Sequence, residues 1–137
     1  MSTRRVLDSF AVIAYLEGEP GADQVGDLIR KARDRDEKLL LSLINWGEVY
    51  YITKRAGGQD VADRALVQLD TLPIDVIFPD REVTRSAADM KATRKLSYAD
   101  CFAAALAKVR NAELVTGDKE FKVVQADLKG IMWLESK

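Results

Sequence analysis

Short apolar segments alternate with longer amphipathic segments along the chain, and this alternation limits the fold more than any other feature. The short segments suit buried strands, and the long ones repeat apolar residues at spacings of three and four, which suits helices. The pattern predicts strands at 5–8, 39–41, 74–78, 113–116 and 130–134. It predicts helices at 9–16, 22–35, 43–56, 60–72, 81–93 and 98–109, and a short helix from after residue 118 to about 126. Strands and helices in this order predict an α/β fold, a three-layer α/β/α sandwich around a mostly parallel central sheet.

Length and composition favour one domain and exclude several kinds of chemistry. The 137 residues suit a single domain over residues 1–137, since one domain per ~150 residues is the ordinary expectation. The chain has no histidine and a single cysteine, Cys101, which excludes Ser-His and Cys-His catalysis, the usual zinc sites and an intrachain disulfide. A bound metal would therefore have oxygen ligands, which favours Mg²⁺, Mn²⁺ or Ca²⁺.

The charges of the chain nearly balance. Lys and Arg number 21 and Asp and Glu number 22, for a net charge of -1. This balance excludes a globally basic nucleic-acid binder, so contact with RNA or DNA must come from a local patch or through bound cations. No apolar run approaches the ~20 residues of a membrane span, and the polar first five residues do not resemble a secretory signal. The single cysteine fits a reducing cytoplasm. Because no long apolar run occurs, no membrane partner is expected.

Two aspartates stand at predicted strand ends. Asp8 ends the first strand, and Asp118 follows the strand at 113–116 by two residues. The carboxyl ends of parallel strands share one edge of the sheet, which is where α/β folds bind their ligands. Each aspartate also precedes a helix, so N-capping is as good an explanation for either residue alone.

Two further acids lie on predicted helices. Glu48 falls within an apolar stripe of its helix formed by Ile44, Gly47, Tyr51 and Ile52. A carboxylate there needs a cation, a hydrogen bond or a raised pKa, unless it lies at the edge of the stripe and reaches solvent.

Asp100 is the only charged residue between positions 98 and 107, and its side of the helix carries the small residues Ala103, Ala104 and Ala107. The alternative for Asp100 is a capping box with Ser97. Four carboxylates brought together would repel one another unless cations neutralised them. They would suit one or two Mg²⁺ or Mn²⁺ ions, which hydrolyse phosphodiesters without histidine or cysteine.

Four segments together resemble the PIN-domain ribonucleases, and among these the VapC-like toxins of bacterial and archaeal toxin–antitoxin pairs. The segments are VLDSFAVIAYL (6–16), SLINWGEVYY (42–51), LSYADCFAAALA (96–107) and LVTGDKEF (114–121). The resemblance covers nearly the whole chain. It implies an RNA substrate that is single-stranded or looped, a homodimer, and inhibition by a small cognate antitoxin.

The same resemblance implies roles for individual residues. The catalytic, metal-binding acids of the family fall on Asp8, Glu48, Asp100 and Asp118. Supporting polar positions near the site fall on Thr116, Ser9 and Asn45. Glu120 could be an extra outer acid or simply an exposed helical residue, and Phe10 stands where relatives commonly have a small residue.

Other functions agree less well with the sequence. A dehalogenase-type phosphotransferase needs a second aspartate where Phe10 stands, and no phosphate-binding P-loop motif occurs. Within the PIN family, the alternatives are a non-toxin RNA-processing nuclease and a catalytically silent PIN-like binding scaffold. The intact set of four acids argues against the scaffold.

Overall fold

Five short parallel strands form one sheet in the order β3-β2-β1-β4-β5. The computed structural model describes residues 4–136. The strands are β1 (Arg5–Leu7), β2 (Leu39–Ser42), β3 (Ile74–Ile77), β4 (Glu113–Thr116) and β5 (Ile131–Trp133). The first strand lies in the middle, so the chain builds the sheet to one side and then returns to β1 with β4. This reversal between β1 and β4 is the position at which α/β sheets open a crevice for ligands.

Six α-helices and one 3-10 helix connect and cover the described strands. They are α1 (Ser9–Glu17), α2 (Ala22–Arg35), α3 (Leu43–Gly57), α4 (Gln59–Asp70), α5 (Arg81–Thr93), α6 (Tyr98–Val109) and the 3-10 helix Lys119–Asp127. The predicted elements are all present, with ends that differ by one or two residues. The caps explain several ends: β1 stops before Asp8 because Asp8 is the N-cap of α1, and Ser42 caps α3 directly after β2.

The strand residues alternate between two cores. Val6, Leu40 and Leu114 face the core beneath α5, α6 and the 3-10 helix. Leu7 and Leu41 face the core beneath α1 and α2. This alternation, which follows from the two-residue repeat of a strand, confirms the predicted three-layer α/β/α sandwich.

Helix α6 is the most deeply buried helix of the described chain. Every residue from Cys101 to Ala107 is at most 6% exposed. Four of these seven are alanines, and their small side chains let α6 pack closely on the sheet and on α5. The apolar character of α6 therefore belongs to the core of the chain. No helix in residues 4–136 combines the length and apolar character needed to cross a membrane.

Candidate metal centre and active site

Asp8 lies at the end of the central strand and is 1% exposed. Its Oδ1 accepts a hydrogen bond from the Ala11 N–H at 2.9 Å, which caps α1, and its Oδ2 accepts one from the Thr116 hydroxyl at 2.5 Å. Burial raises the pKa of Asp8 to about 7, although these two hydrogen bonds lower it, and the charges of Asp100 and Asp118 raise it further. Asp8 is thus a helix cap and also a carboxylate held at an electrostatic cost.

Thr116 connects the two strand-end aspartates. It is the last residue of β4, which pairs with β1, and it is fully buried. Its hydroxyl donates to Asp8 and accepts from the Asp118 backbone N–H at 3.0 Å. Asp118 in turn caps the 3-10 helix, because its Oδ1 accepts from the Glu120 N–H at 3.0 Å. One hydroxyl therefore fixes the position of both acids at the switch between β1 and β4.

Asp100 lies in the first turn of α6 and is half-buried. The Ser97 Oγ caps this helix by accepting from the backbone N–H of Asp100 at 3.2 Å. Burial raises the pKa of the Asp100 carboxyl to about 6, a hydrogen bond with Ser97 lowers it, and Glu48, Asp118 and Glu120 raise it by charge repulsion. The cap uses the backbone N–H of Asp100, and the carboxylate, besides its hydrogen bond with Ser97, lies close enough to the other acids to be repelled by them.

Glu48 is not positioned by the apolar stripe that the sequence predicts. The fully buried face of α3 consists of Asn45, Val49 and Thr53, and Tyr51 of the predicted stripe is 43% exposed. That prediction was wrong because the buried face of α3 is partly polar, so apolar residues do not mark it. Glu48 is only half-buried.

Asn45 holds Glu48 beside the start of α6. Its Nδ2 donates to Glu48 Oε1 at 2.8 Å and to the Ala99 carbonyl at 3.2 Å. Asn45 is fully buried, and both bonds are partly shielded from solvent. Its Oδ1 is buried without a hydrogen-bond partner among the described residues. Asn45 therefore ties α3 to α6 and orients the carboxylate of Glu48.

The structure brings three carboxylates close together. One oxygen each from Asp100, Asp118 and Glu120 lies within 4.8 Å of the other two. Glu120 is exposed, which agrees with the interpretation of a helical surface residue. It also lies in the three-acid group, which agrees with the alternative interpretation of an extra outer acid. Asp8 and Glu48 lie outside the three-acid group, but each interacts with it by charge repulsion. Asp100 and Asp118 repel the charge of Asp8, and Glu48 repels the charge of Asp100.

An open cleft of about 300 Å³ gives access to these acids. Its polar lining includes Glu48, Asp100 and Asp118, together with Ser9. Phe10, Ile13 and Ile52 form its apolar wall. Asp8 lies beneath the cleft rather than on its surface. All the predicted site residues therefore stand at the carboxyl edge of the sheet, either in the cleft or directly behind it.

The donor set of this cleft fits a divalent cation. All of its charged ligand atoms are carboxylate oxygens, the atoms that Mg²⁺ and Mn²⁺ prefer. The three ion pairs of the described chain join Arg5 to Glu113, Arg30 to Asp27 and Arg94 to Asp127, and none involves a site acid. The raised pKa values of Asp8 and Asp100 are those of carboxylates without a compensating positive charge.

Five basic side chains line a cleft at the other edge of the sheet. This basic cleft, about 280 Å³ in volume, is lined by Arg4, Arg5, Lys31, Arg35 and Lys38, together with the acids Asp36 and Glu37. These residues adjoin the amino ends of β1 and β2. The cleft that holds the acids has no basic residue among the described residues that line it, so an anionic ligand in it would depend on a bound cation.

Comparison with known proteins supports the same assignment of fold. The chain resembles VapBC2 from Rickettsia felis bound to a promoter DNA fragment, with a TM-score of 0.78 and 15% identity over 96% of this chain and 98% of that one. It resembles DNA-bound VapBC from Salmonella typhimurium, with a TM-score of 0.73 and 17% identity over 96% and 98%. It also resembles VapC20 of Mycobacterium tuberculosis, a sarcin-ricin loop cleaving toxin, with a TM-score of 0.67 and 14% identity over 86% and 92%.

Sequence comparison gives the family. No curated protein matches the chain. The family model of the PIN domain, however, matches residues 5–127, which include every site acid described above. The chain belongs to the PIN-domain family.

Proposed function

We propose that the chain is a divalent-metal-dependent endoribonuclease and the toxin of a toxin–antitoxin pair. The observation that carries this proposal is the meeting of Glu48, Asp100 and Asp118 in one cleft. Glu120 lies close to Asp100 and Asp118, and Asp8 is buried beside them. A chain without histidine has few other ways to hydrolyse a phosphodiester. Membership of the PIN family and the fold shared with VapBC complexes support the nuclease and toxin assignments.

In the proposed mechanism, Asp100, Asp118 and Glu48 hold the metal, with Glu120 as a further ligand. A bound Mg²⁺ or Mn²⁺ supplies an activated water and neutralises charge on the scissile phosphate. Asp8 contributes its negative charge from behind the cleft once its carboxyl has lost the proton that burial favours.

Three uncharged residues support this mechanism, two by positioning acids and one by facing the substrate. Thr116 fixes Asp8 relative to Asp118 through its hydroxyl. Asn45 orients Glu48. Ser9 lines the cleft next to Asp8 and offers a hydroxyl to the substrate.

The proposed partners are an RNA substrate, a cognate antitoxin and a second copy of the chain, in the cytoplasm. VapC20, which shares the fold, cleaves the sarcin-ricin loop, and the VapBC neighbours support a protein antitoxin. Because the apolar residues of α6 belong to the core, they give no support to a dimer interface. Light scattering at micromolar concentration tests this proposal, and a dimer should have about twice the monomer mass.

Cleavage of RNA by the purified, antitoxin-free protein tests the proposed activity. We expect cleavage of structured RNA in Mn²⁺ or Mg²⁺, loss of cleavage in EDTA, and loss in an Asp118→Asn variant. Asp89→Asn is the matched control, because Asp89 is an exposed acid on α5 and away from the cleft. Undiminished cleavage in EDTA would contradict the mechanism. A panel of RNAs left uncut by wild type but still bound would instead indicate a binding scaffold.

A further inference from the structure

Phe10 forms a wall between the acidic cleft and a second, neighbouring cleft. It lies in the first turn of α1, two residues after Asp8, and is half-buried. The second cleft measures about 410 Å³ and is lined by Phe10, Glu19, Pro20, Gly117, Lys119 and Ser136. Because Phe10 and Glu19 line both clefts, the second cleft continues the acidic one.

The backbone at Gly117 fixes the ring of Phe10. A Cβ atom at position 117 would lie 2.7 Å from Phe10 Cζ and closer still to Cε1, so a side chain at this position would have to push the ring aside. Gly117 is also buried, so the ring packs on bare backbone between Thr116 and Asp118. The ring is thereby attached to the same strand end that positions Asp8 and Asp118. An aromatic face held rigidly beside a catalytic site loses little conformational entropy when a flat ligand stacks on it.

Lys119 supplies a positive charge to the second cleft. Its Nζ lies 5.0 Å from the centroid of the Trp133 ring, a cation–π contact that holds the ammonium group in place. Glu19 contributes a carboxylate that can accept hydrogen bonds from the N–H groups of a nucleobase. The cleft therefore combines an aromatic wall, a cation and a hydrogen-bond acceptor, the groups that bind a base and its phosphate.

We propose that Phe10 stacks on one nucleobase of a single-stranded RNA substrate, and that the second cleft binds the nucleotide adjacent to the scissile phosphate. This inference rests on the proposed nuclease function and adds a subsite to it. The phosphate of that nucleotide lies toward Lys119, and its base lies against Phe10. Since every base has a stacking face, the subsite contributes affinity and register to RNA of any sequence.

The expected effect is on substrate binding more than on chemistry. Stacking of one base on an aromatic side chain changes affinity by about 5- to 150-fold. Phe10→Leu should therefore raise KM by at least about 5-fold while kcat stays near the wild-type value. Phe10→Tyr keeps the stacking face and should retain the wild-type KM. Phe78→Leu is the control for loss of an aromatic ring, because Phe78 is 74% exposed and lines neither cleft.

An abasic-site scan identifies the stacked nucleotide. Single abasic sites are placed in turn at each position around the cleavage site, and KM is measured for wild type and for Phe10→Leu. At one position, the abasic site should raise KM for wild type but have little further effect in Phe10→Leu, because both changes remove the same contact. Thermal melting of each variant shows that it is folded. Gly117→Ala provides a second test, since the added methyl displaces the ring and should reproduce the KM increase.

The outcomes separate this inference from the proposed function. If wild type cleaves RNA but Phe10→Leu has an unchanged KM, the stacking subsite is wrong and the nuclease stands. The subsite is also wrong if the effects of Phe10→Leu and of an abasic site multiply independently at every position. If wild type neither binds nor cleaves RNA, both proposals are overturned.

Discussion

Replacement of Asp8 by asparagine should stabilise the metal-free protein at pH 8. The carboxyl of Asp8 has a pKa of about 7 in the folded chain against an ordinary value of 3.8, and burial is the main cause. About three pH units at about 1.4 kcal/mol per unit correspond to about 4 kcal/mol of unfavourable free energy when the group is ionised. Asparagine has nearly the same volume and no charge, so it removes this cost.

The hydrogen bonds of Asp8 reduce the expected gain. An asparagine Oδ1 can still accept from the Ala11 N–H, and its Nδ2 can donate to the Thr116 hydroxyl oxygen. The Thr116 proton then loses its acceptor, which costs about 1 kcal/mol. The net increase in the free energy of unfolding at pH 8 is therefore about 2–3 kcal/mol.

The gain should depend on pH in a defined direction. Between pH 4 and 7 the folded wild type holds a proton on Asp8 that the unfolded chain has released. Its stability therefore falls as the pH rises through this range and levels off above pH 7. The variant lacks this proton, so its advantage is largest above pH 7. At about pH 3.5 only the cost of the lost Thr116 hydrogen bond remains, and the variant should be less stable than wild type by about 1 kcal/mol.

Urea unfolding followed by circular dichroism in EDTA, from pH 4 to 8.5, measures this difference. Asp89→Asn, which changes an exposed acid, should match wild type at every pH. Addition of Mn²⁺ at pH 8 should stabilise wild type and stabilise the Asp8 variant less, since ligand binding to the folded state adds RT ln(1 + [L]/Kd). An Asp8→Asn variant that is less stable than wild type at pH 8, with no dependence on pH, would refute the electrostatic reasoning.

Three further predictions follow from the same geometry. Asp100→Asn keeps the backbone cap on Ser97, so in EDTA it should melt at or above the wild-type temperature. Mn²⁺ should stabilise this variant less than wild type, and RNA cleavage should be lost. If the variant is instead less stable by about 0.5–1 kcal/mol, with normal Mn²⁺ stabilisation and normal cleavage, Asp100 has only a capping role. Thr116→Val removes the donor to Asp8 and the acceptor for Asp118, and it should lower the free energy of unfolding by about 1–3 kcal/mol and raise the pH at which Mn²⁺ binding is half-maximal. The affinity for RNA should fall only slightly as salt is added, with a slope that corresponds to about 2–3 phosphate contacts, because the acidic edge has few cations. A slope that corresponds to about 6–10 phosphate contacts would implicate the basic cleft at the amino edge.

Local rules predicted the fold and the caps, because each depends on residues close in sequence. The caps that the sequence suggested at Asp8, Ser97 and Asp118 all form. The Asp8–Thr116 hydrogen bond joins residues 108 positions apart, and only the pairing of β1 with β4 brings them together. The near-complete burial of Asp8, and hence its raised pKa, is likewise a property of the assembled sheet.

Helix α3 shows where periodicity fails. Its buried face carries Asn45 and Thr53, which form hydrogen bonds within the helix: the Thr53 hydroxyl donates to the Val49 carbonyl at 2.7 Å, and Asn45 donates to Glu48. A rule that assigns apolar residues to the buried side therefore predicts the wrong buried face for such a helix. The role of Glu120 could not be decided from the sequence, because an exposed acid fits both a surface residue and an outer acid of the site. Its position beside Asp118 depends on the turn at the start of the 3-10 helix.

Calorimetric titration of Mn²⁺ into the metal-free protein at pH 7 tests most directly whether these carboxylates form a metal site. Measurements in two buffers of different ionisation enthalpy give the number of protons released. Wild type should bind Mn²⁺ and release about half a proton, because at pH 7 a carboxyl of pKa about 7, Asp8, is half protonated and one of pKa about 6, Asp100, only slightly so. Asp8→Asn should release fewer protons, Asp100→Asn and Asp118→Asn should bind far more weakly, and Asp89→Asn should behave as wild type. Binding of equal strength in all five proteins, or no binding by wild type, would contradict the metal site.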